Sequence, residues 1–265
     1  MLIKCRLCLE EKELKRSHLL PKALYKLIGS GTDPAHPDTV QITFEGSKKS
    51  SEQVWRHLLC SGCEKCLNEN GESWVLRNCY RGRGRFRLRT ELKTRPNLSL
   101  GSEFATYAAS AIEITKLAHF CLGVVWKASL CDWPCRGKKY QQIELGPYQE
   151  RIRTYLNAKA GVPENVDVDV MLSELNPPAL VMSLPWHDRV HAVHCYTFQI
   201  PGITFFTMVG RPGLEGNRSS ILRDPNPIII GKNGDRLAQD EMTRLMGRVP
   251  PRGYEAPLVN GTERT

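Results

Sequence analysis

The sequence contains two CxxC motifs, Cys5-Arg-Leu-Cys8 and Cys60-Ser-Gly-Cys63, from which the fold of the N-terminal region can be predicted. A CxxC pair lets two thiolates from one tight turn occupy adjacent corners of a tetrahedron, and two such pairs complete a closed four-thiolate zinc site. Buried core cysteines are the alternative explanation, but they have no reason to fall at two CxxC spacings. We therefore predict that Cys5, Cys8, Cys60 and Cys63 hold one structural Zn²⁺.

The choice of ligands in the second stretch has one alternative, because Cys63-Glu-Lys-Cys66 repeats the CxxC spacing. Gly62 favours Cys60 and Cys63 as the pair, since glycine tolerates the tight turn between two ligands. The dipeptide Glu64-Lys65 suits a helix that begins after the metal. Cys66 is therefore the second choice as a ligand.

The ten cysteines are expected to be reduced thiols. Met1-Leu2-Ile3-Lys4 leads directly into the first cysteine pair with no apolar signal segment, so we expect a cytoplasmic protein in which metal binding is favoured over disulfides. The most apolar segment, 104–130, is interrupted by Glu113, Lys116 and Lys127. Its uncharged runs are too short to span a bilayer, and no membrane span is expected.

Positive charge is concentrated in the N-terminal part of the chain. Residues 1–100 carry 19 Lys and Arg against 11 Asp and Glu, a surplus of eight, while the whole chain of 265 residues has a net charge of +9. A basic surplus confined to one region usually marks a surface for a polyanion, commonly nucleic acid. A solubilising face is the alternative.

The composition predicts an α+β protein in which an N-terminal zinc module is followed by a mixed helical and β-hairpin domain. We assign residues 1–80 to the module, 81–96 to an Arg/Gly-rich basic bridge, and 97–247 to an α+β accessory domain. Residues 248–265 are rich in Pro, Gly and charge and are expected to be a disordered tail. Association of two copies of the chain into a homodimer is compatible with the sequence.

Apolar periodicity predicts three helices. Pro21–Ile28 should form a short helix in the zinc module, which Gly29 ends. Glu103–Ser129 has a broad apolar stripe and should be one central buried helix of the accessory domain, and Pro147–Ala158 should be a second helix there. Alternating or β-branched runs predict strands, with Pro201-Gly202 at a hairpin turn. The predicted strands are 39–44, Gln53–Leu59, Ala179–Leu184, Val190–Ile200 and Thr204–Val209.

Arginine occupies every second position from Arg81 to Arg89, in the run Arg-Gly-Arg-Gly-Arg-Phe-Arg-Leu-Arg. On an extended chain all five side chains point the same way, about 6.6–7 Å apart, which is comparable with phosphate spacing along a nucleic-acid strand. Guanidinium groups match phosphate oxygens. A flexible, solvated linker is the alternative. We predict that five residues bind a nucleic-acid backbone: Arg81, Arg83, Arg85, Arg87 and Arg89.

Three further motifs accompany the first cysteine pair, namely Ser17-His18-Leu-Leu-Pro21-Lys22, Leu59-Cys60-x-x-Cys63-Glu64 and Asn68-x-x-Gly71-Glu72-x-Trp74. Together they resemble the cysteine-bearing branch of the HNH endonuclease superfamily. In particular, the chain is similar to a group of uncharacterised bacterial proteins with the pattern CxxC, SHxxPK, LCxxCE, NxxGExW. The similarity is close over residues 1–80 and continues weakly into Phe120–Ala128.

The resemblance implies a treble-clef or ββα-metal fold, in which a hairpin and a helix flank a nucleic-acid backbone. In that fold a histidine at the end of the first strand activates water, and the helix supplies ligands for a catalytic divalent metal. His18 matches the general base, and Glu64 falls where the superfamily usually has its last histidine. Ser17 stands where an acidic metal ligand often precedes the first histidine. No asparagine occurs between His18 and Cys60.

Helical spacing offers a replacement for that metal site. If a helix begins near Glu64, then Glu64, Asn68 and Glu72 follow at i, i+4 and i+8 on one face, with oxygen ligands that suit Mg²⁺ or Mn²⁺. The alternative is a solvated polar face, with Gly71 ending the helix. For His18 the alternative is a histidine that organises the fold by bonding to the backbone.

These features predict an HNH-like endonuclease that hydrolyses phosphodiester bonds of nucleic acid, with DNA favoured over RNA. His18 would be the base, and Glu64, Asn68 and Glu72 would hold Mg²⁺ or Mn²⁺. A role as a bacterial defence effector is compatible with the resemblance. The alternatives are a non-catalytic zinc-dependent nucleic-acid-binding module and a protein-interaction adaptor in which the zinc is purely structural.

Overall fold

The computed structural model contains α-helices together with antiparallel and parallel strands, so the predicted α+β class is confirmed. The predicted tail at 248–265 lies outside the residues that the structure describes. The described residues are 2–29, 40–43, 46–49, 52–94, 97–99, 104–110, 112–135, 138–140, 142–178, 180–190, 193–210, 220–224 and 228–232.

The N-terminal part consists of two-stranded sheets and short helices. Strand β3 pairs antiparallel with β6, so that Leu14 lies opposite Cys60 and His18 lies opposite Trp55. A π-helical turn, Asn68–Glu72, joins α2 to α3 in one continuous helix. The elements are β1 (Ile3–Lys4), β2 (Glu11–Lys12), β3 (Leu14–His18), α1 (Lys22–Gly29), β4 (Val40–Thr43), β5 (Gly46–Lys49), β6 (Trp55–Cys60), α2 (Ser61–Leu67), α3 (Ser73–Asn78) and α4 (Arg87–Lys93).

Seven of the later strands build a mixed sheet on which a long helix packs, and β9 pairs with β10 in a separate two-stranded sheet. The later elements are β7 (Asn97–Ser99), β8 (Phe104–Ala108), α5 (Ile114–Ala128), β9 (Trp133–Cys135), β10 (Lys138–Tyr140), α6 (Tyr148–Leu156), β11 (Val166–Ser173), β12 (Ser183–Val190), β13 (Val193–Ile200), β14 (Ile203–Val209) and β15 (Ile228–Lys232). The strand order is β12-β13-β14-β11-β15-β8-β7, in which β11 and β15 are parallel. Phe120 of α5 packs on the sheet, with its ring centroid 5.4 Å from that of Phe205.

The short helix predicted at Pro21–Ile28 and the helix predicted at Pro147–Ala158 are confirmed as α1 and α6. The single helix predicted for Glu103–Ser129 is wrong in its first part, because Phe104–Ala108 forms strand β8 and the helix begins at Ile114. Strand β8 is hydrogen-bonded between β7 and β15, and pairing with distant strands outweighs local helical spacing. Among the described residues, no helix combines the length and apolar character needed to cross a bilayer.

Most of the predicted strands correspond to observed ones. The hairpin turn at Pro201-Gly202 is confirmed between β13 and β14, and Gly202 has a φ of +79°. The strand predicted at Ala179–Leu184 overlaps only the start of β12, which begins at Ser183. Strand β11 is not among the predicted strands, although its alternation Val166-Asp-Val-Asp-Val is a strand signal.

The two parts of the chain share one hydrophobic core, which extends from Cys5 to Ile229. Gly71 in the π turn lies against α5, where an added Cβ would stand 2.7 Å from the backbone N of Phe120. Gly71 therefore permits a close approach of two helices, and it does not end the helix. The predicted domain boundaries stay predictions, but the zinc module and α5 are packed together.

Candidate metal centre and neighbouring charged clusters

The two CxxC pairs converge between the N-terminal hairpin and helix α2. Cys5 and Cys8 lie in the turn between β1 and β2, Cys60 ends β6, and Cys63 lies in the first turn of α2. Their sulfur atoms all lie within 4.8 Å of one another. These four cysteines are close enough to hold a metal ion, and the set is consistent with a tetrahedral structural Zn²⁺ site that has no open position.

Backbone N–H groups surround the sulfur of Cys5. The amide of Cys60 donates to Cys5 Sγ at 3.3 Å. Burial raises the pKa of the Cys5 thiol, but the N–H groups of Cys60, Cys8 and Leu7 outweigh burial and lower that pKa to about 7. Burial raises the pKa of Cys63. A bound cation would favour the ionised form of these sulfurs, because cysteine binds metal as the thiolate.

Cys66, the alternative ligand, lies outside this cluster. Its Sγ donates to the carbonyl of Leu156 at 3.8 Å and accepts a hydrogen bond from Asn70 Nδ2 at 3.3 Å. Cys66 therefore faces helix α6, and the geometry favours Cys60 and Cys63 as the pair. The Cys66 sulfur is engaged by Leu156 and Asn70, and it does not join the four sulfurs that lie within 4.8 Å of one another.

Ser17 and Glu64 connect strand β3 to helix α2 just behind the cysteines. Ser17 is fully buried, and its hydroxyl donates to Glu64 Oε1 at 2.5 Å while accepting from the amide of Leu59 at 3.1 Å. Burial raises the pKa of Glu64, and the charge of Lys127 together with the Ser17 hydrogen bond opposes that rise. The Ser17 hydroxyl is thus fully used by hydrogen bonds within the chain.

Lys127 of α5 is the functional residue that the sequence motifs did not identify. It is only 2% exposed. Its Nζ donates to Glu72 Oε1 at 3.0 Å and to the backbone carbonyl of His18 at 2.9 Å. A lysine buried near the end of an apolar helix requires oxygen partners, and this requirement is the signal that could have identified it. Lys127 ties α5 to the end of β3 and to the π turn.

His18 is half-buried at the end of β3. Its Nε2 lies 3.0 Å from Gln53 Oε1. Burial lowers the pKa of His18, and the hydrogen bond to Gln53 opposes that shift. The ring is therefore neutral at neutral pH. Because an amide oxygen can only accept, Nε2 carries the hydrogen and Nδ1 carries the lone pair.

The three residues predicted to hold a divalent metal do not form one ligand set. Glu64 and Glu72 both lie on the side of the helix that faces Lys127. They are eight residues apart, and the π turn between them makes this separation nearly two full helical turns, so their side chains share one face. Asn68 is exposed, and its Oδ1 accepts a hydrogen bond from Ser73 Oγ at 2.8 Å. The carboxylate of Glu72 already forms an ion pair with Lys127. These oxygens do not fit a catalytic Mg²⁺ or Mn²⁺ as they stand.

The arginine run is folded into a turn followed by a helix, so the prediction of an extended row is wrong. The amide of Arg81 donates to the carbonyl of Arg85 at 2.9 Å, and Tyr80 bridges to Phe86 across the turn. Gly82, Arg83 and Gly84 all have positive φ, of 76°, 49° and 72°. Two glycines at alternate positions thus permit a tight turn, which local spacing of arginine does not reveal. Helix α4 then begins at Arg87.

The five predicted arginines divide into two groups. Arg89 is bound inside the fold, where its guanidinium donates to the carbonyls of Ser173 and Leu175 and lies 5.2 Å from the ring of Phe86. The other four are exposed. Three of those four, joined by Arg77 of α3, line a surface depression of about 690 Å³ that contains one carboxylate, Glu91. The lining residues are Arg77, Arg81, Gly84, Arg85, Phe86, Arg87, Thr90, Glu91 and Thr94.

Comparisons with known protein families, with curated proteins and with solved structures find no match to this chain. The resemblance to the HNH superfamily therefore stays a prediction that rests on the sequence motifs and on the arrangement of residues described above.

Proposed function

We propose that this protein is a zinc-stabilised nucleic-acid-binding protein that holds a phosphate backbone in the arginine-lined depression beside α4. The observation that carries the proposal is the contrast within the arginine run. Arg89 is satisfied by the fold, whereas Arg77, Arg81, Arg85 and Arg87 are exposed and have no side-chain hydrogen bond or ion pair within the described part of the chain. Clustered guanidinium groups suit phosphate oxygens.

The N-terminal module supports a treble-clef assignment. A cysteine turn precedes the β3–β6 antiparallel pair, and helix α2 follows directly with the last cysteine pair at its start. In this arrangement the zinc anchors the first turn of α2, and α2 continues through the π turn into α3. Arg77 lies near the end of α3, so the metal holds the base of the proposed binding surface.

Salt dependence of binding tests the proposal. Each phosphate contact contributes about −0.9 to the slope of log affinity against log salt on duplex DNA, so the four arginines should contribute up to about −3.6. We expect a variant with Arg77, Arg81, Arg85 and Arg87 all changed to glutamine to lose that part of the slope on DNA, and to weaken binding of different sequences equally. Binding to DNA and RNA would be measured by fluorescence anisotropy.

A charge-matched control separates a specific surface from net charge. The control replaces four exposed cations elsewhere with glutamine, and it should retain most of the affinity and most of the salt slope. Equal loss of affinity in both variants would mean that net charge, and not this depression, carries the binding, whereas a wild type that binds no nucleic acid would select the adaptor alternative. The control positions are Lys26, Lys65, Lys159 and Arg189.

A second candidate function is hydrolysis of a phosphodiester bond with His18 as the base. The position of His18 favours it, because a neutral half-buried imidazole at the end of a strand fixed by zinc and by Lys127 can accept a proton at neutral pH. A Mg²⁺ or Mn²⁺ ion would stabilise charge developing on the phosphate, and Glu64 and Glu72 would hold it only if Lys127 moved away.

A cleavage assay separates the two functions. Plasmid DNA and RNA would be incubated with the zinc-loaded protein, with and without Mg²⁺ or Mn²⁺. His18→Ala should abolish any cleavage while leaving zinc content and melting temperature nearly unchanged, and His57→Ala on the adjacent strand is the matched control. If the wild-type protein binds nucleic acid but does not cleave it, only the binding function is retained. Equal cleavage by wild type and His18→Ala would remove His18 from the mechanism.

A further inference from the structure

The cluster around Lys127 places a positive charge among oxygen atoms in the interior. Lys127 Nζ lies 3.0 Å from Glu72 Oε1 and 2.9 Å from the His18 carbonyl oxygen. The Glu64 carboxylate is close enough for the charge of Lys127 to act on it. One backbone carbonyl and one carboxylate lie within hydrogen-bond distance of the ammonium, and hard divalent cations also prefer oxygen atoms of this kind.

Elements distant in sequence bring these atoms together. His18 ends β3, Glu64 lies on α2, Glu72 ends the π turn, and Lys127 comes from the second last position of α5. The lysine side chain is 3% exposed and that of Glu72 is 17% exposed. A buried charge is compatible with a stable fold only where opposite charges or hydrogen-bond partners surround it. Removing one partner leaves the other charge buried and unpaired, which destabilises the fold.

We propose that Lys127 is a built-in cation, whose ammonium group takes the position that a divalent metal would otherwise occupy between the His18 carbonyl and Glu72. A tethered ammonium is always present at the site, and it repels a divalent ion that approaches the same oxygens. With Lys127 in place, the wild-type cluster therefore binds neither Mg²⁺ nor Mn²⁺, and metal-assisted hydrolysis beside His18 would require Lys127 to leave the cluster. This inference does not rest on nucleic-acid binding, because it concerns only the ions that the folded chain accepts.

Titration with Mn²⁺ tests the inference on the full-length, zinc-loaded chain. Bound Mn²⁺ would be counted from the loss of the free-ion electron paramagnetic resonance signal. We expect no site in the wild type that depends on Glu72, and about one new Mn²⁺ equivalent in Lys127→Met, which keeps an unbranched apolar stem but removes the ammonium group. The new site should disappear again in Lys127→Met/Glu72→Gln.

Lys116→Met is the matched control, because Lys116 lies on the same helix and forms an ion pair with Glu113 near the surface, at 2.5 Å. It should bind no more Mn²⁺ than the wild type. Two results would overturn the inference: Mn²⁺ bound by the wild type and lost in Glu72→Gln, or a folded Lys127→Met that gains no Mn²⁺.

Failure of Lys127→Met to fold is also informative. The double variant Lys127→Met/Glu72→Gln should then fold, because the carboxylate left without a partner has been neutralised as well. Recovery of the fold in the double variant would support the role of the lysine as a counter-charge. If neither variant folds, Lys127 acts through the packing of its stem, and the inference fails.

Discussion

Lys127 and the arginines beside α4 are two placements of positive charge in one protein. Lys127 is buried and bound to Glu72 and His18, while Arg77, Arg81, Arg85 and Arg87 are exposed around a depression. A buried charge must be matched within the fold, since water cannot solvate it there. An exposed charge is solvated and remains available to an external anion. The first placement therefore contributes to structure, and the second is available for the phosphate binding proposed above.

Removal of zinc should have the largest effect on stability. The Lys127 cluster and the exposed arginines are both attached to the helix that begins at the four cysteines. Structural zinc in small modules contributes about 10–16 kcal/mol of apparent binding free energy, against a typical net stability of about 5–15 kcal/mol. We expect chelation, or Cys63→Ser, to unfold the N-terminal module, as measured by circular dichroism. Elemental analysis should find one zinc per chain in the wild type. A metal-free protein with unchanged melting would contradict the zinc assignment.

The buried lysine should give the next largest effect. Lys127→Met leaves Glu72 and the His18 carbonyl without their cation, which should lower the free energy of unfolding by about 3–5 kcal/mol. Urea denaturation would measure the change. Lys116→Met removes an ion pair nearer the surface and should cost no more than about 1 kcal/mol. Equal losses in the two variants would mean that burial does not distinguish these lysines.

Two arginines of one run allow a sharper test of the same contrast. Arg89→Gln removes hydrogen bonds to two backbone carbonyls and should cost about 1–3 kcal/mol of unfolding free energy. Arg87→Gln, at an exposed position two residues away, should change it by less than about 0.5 kcal/mol. In the binding assay the order should reverse, with Arg87→Gln weakening affinity more. Thermal denaturation would measure the changes in stability, and fluorescence anisotropy would measure the changes in affinity.

The smallest effect concerns pH. Burial lowers the pKa of His18 in the folded protein, so the unfolded chain binds more protons between that lowered pKa and the unfolded value of about 6.5. Stability should therefore fall as pH decreases through this window. His18→Gln should reduce the slope without removing it, because burial also lowers the pKa of His119. A slope that is unchanged in His18→Gln, measured by urea denaturation at several pH values, would contradict the buried position of His18.

Local spacing was sufficient for the parts of the site that lie within a few residues of one another. Cys5 with Cys8, and Cys60 with Cys63, were predicted as pairs because two ligands of one tight turn are neighbours in sequence as well as in space. Helices α1 and α6 followed from periodicity for the same reason. The arginine run was predicted less well, since its alternation fits an extended chain while Gly82 and Gly84 permit a turn.

Sequence patterns were thus sufficient to predict the four-cysteine cluster, the α+β class and the concentration of positive charge in the first hundred residues. The contacts of Lys127 with Glu72 and His18, the exposed position of Asn68 and the strand at Phe104–Ala108 are visible only in the folded chain. This difference arises from the distance along the chain between partners. A ligand pair separated by three residues is set by one turn, whereas a buried ion pair between helices is set by the packing of the whole core.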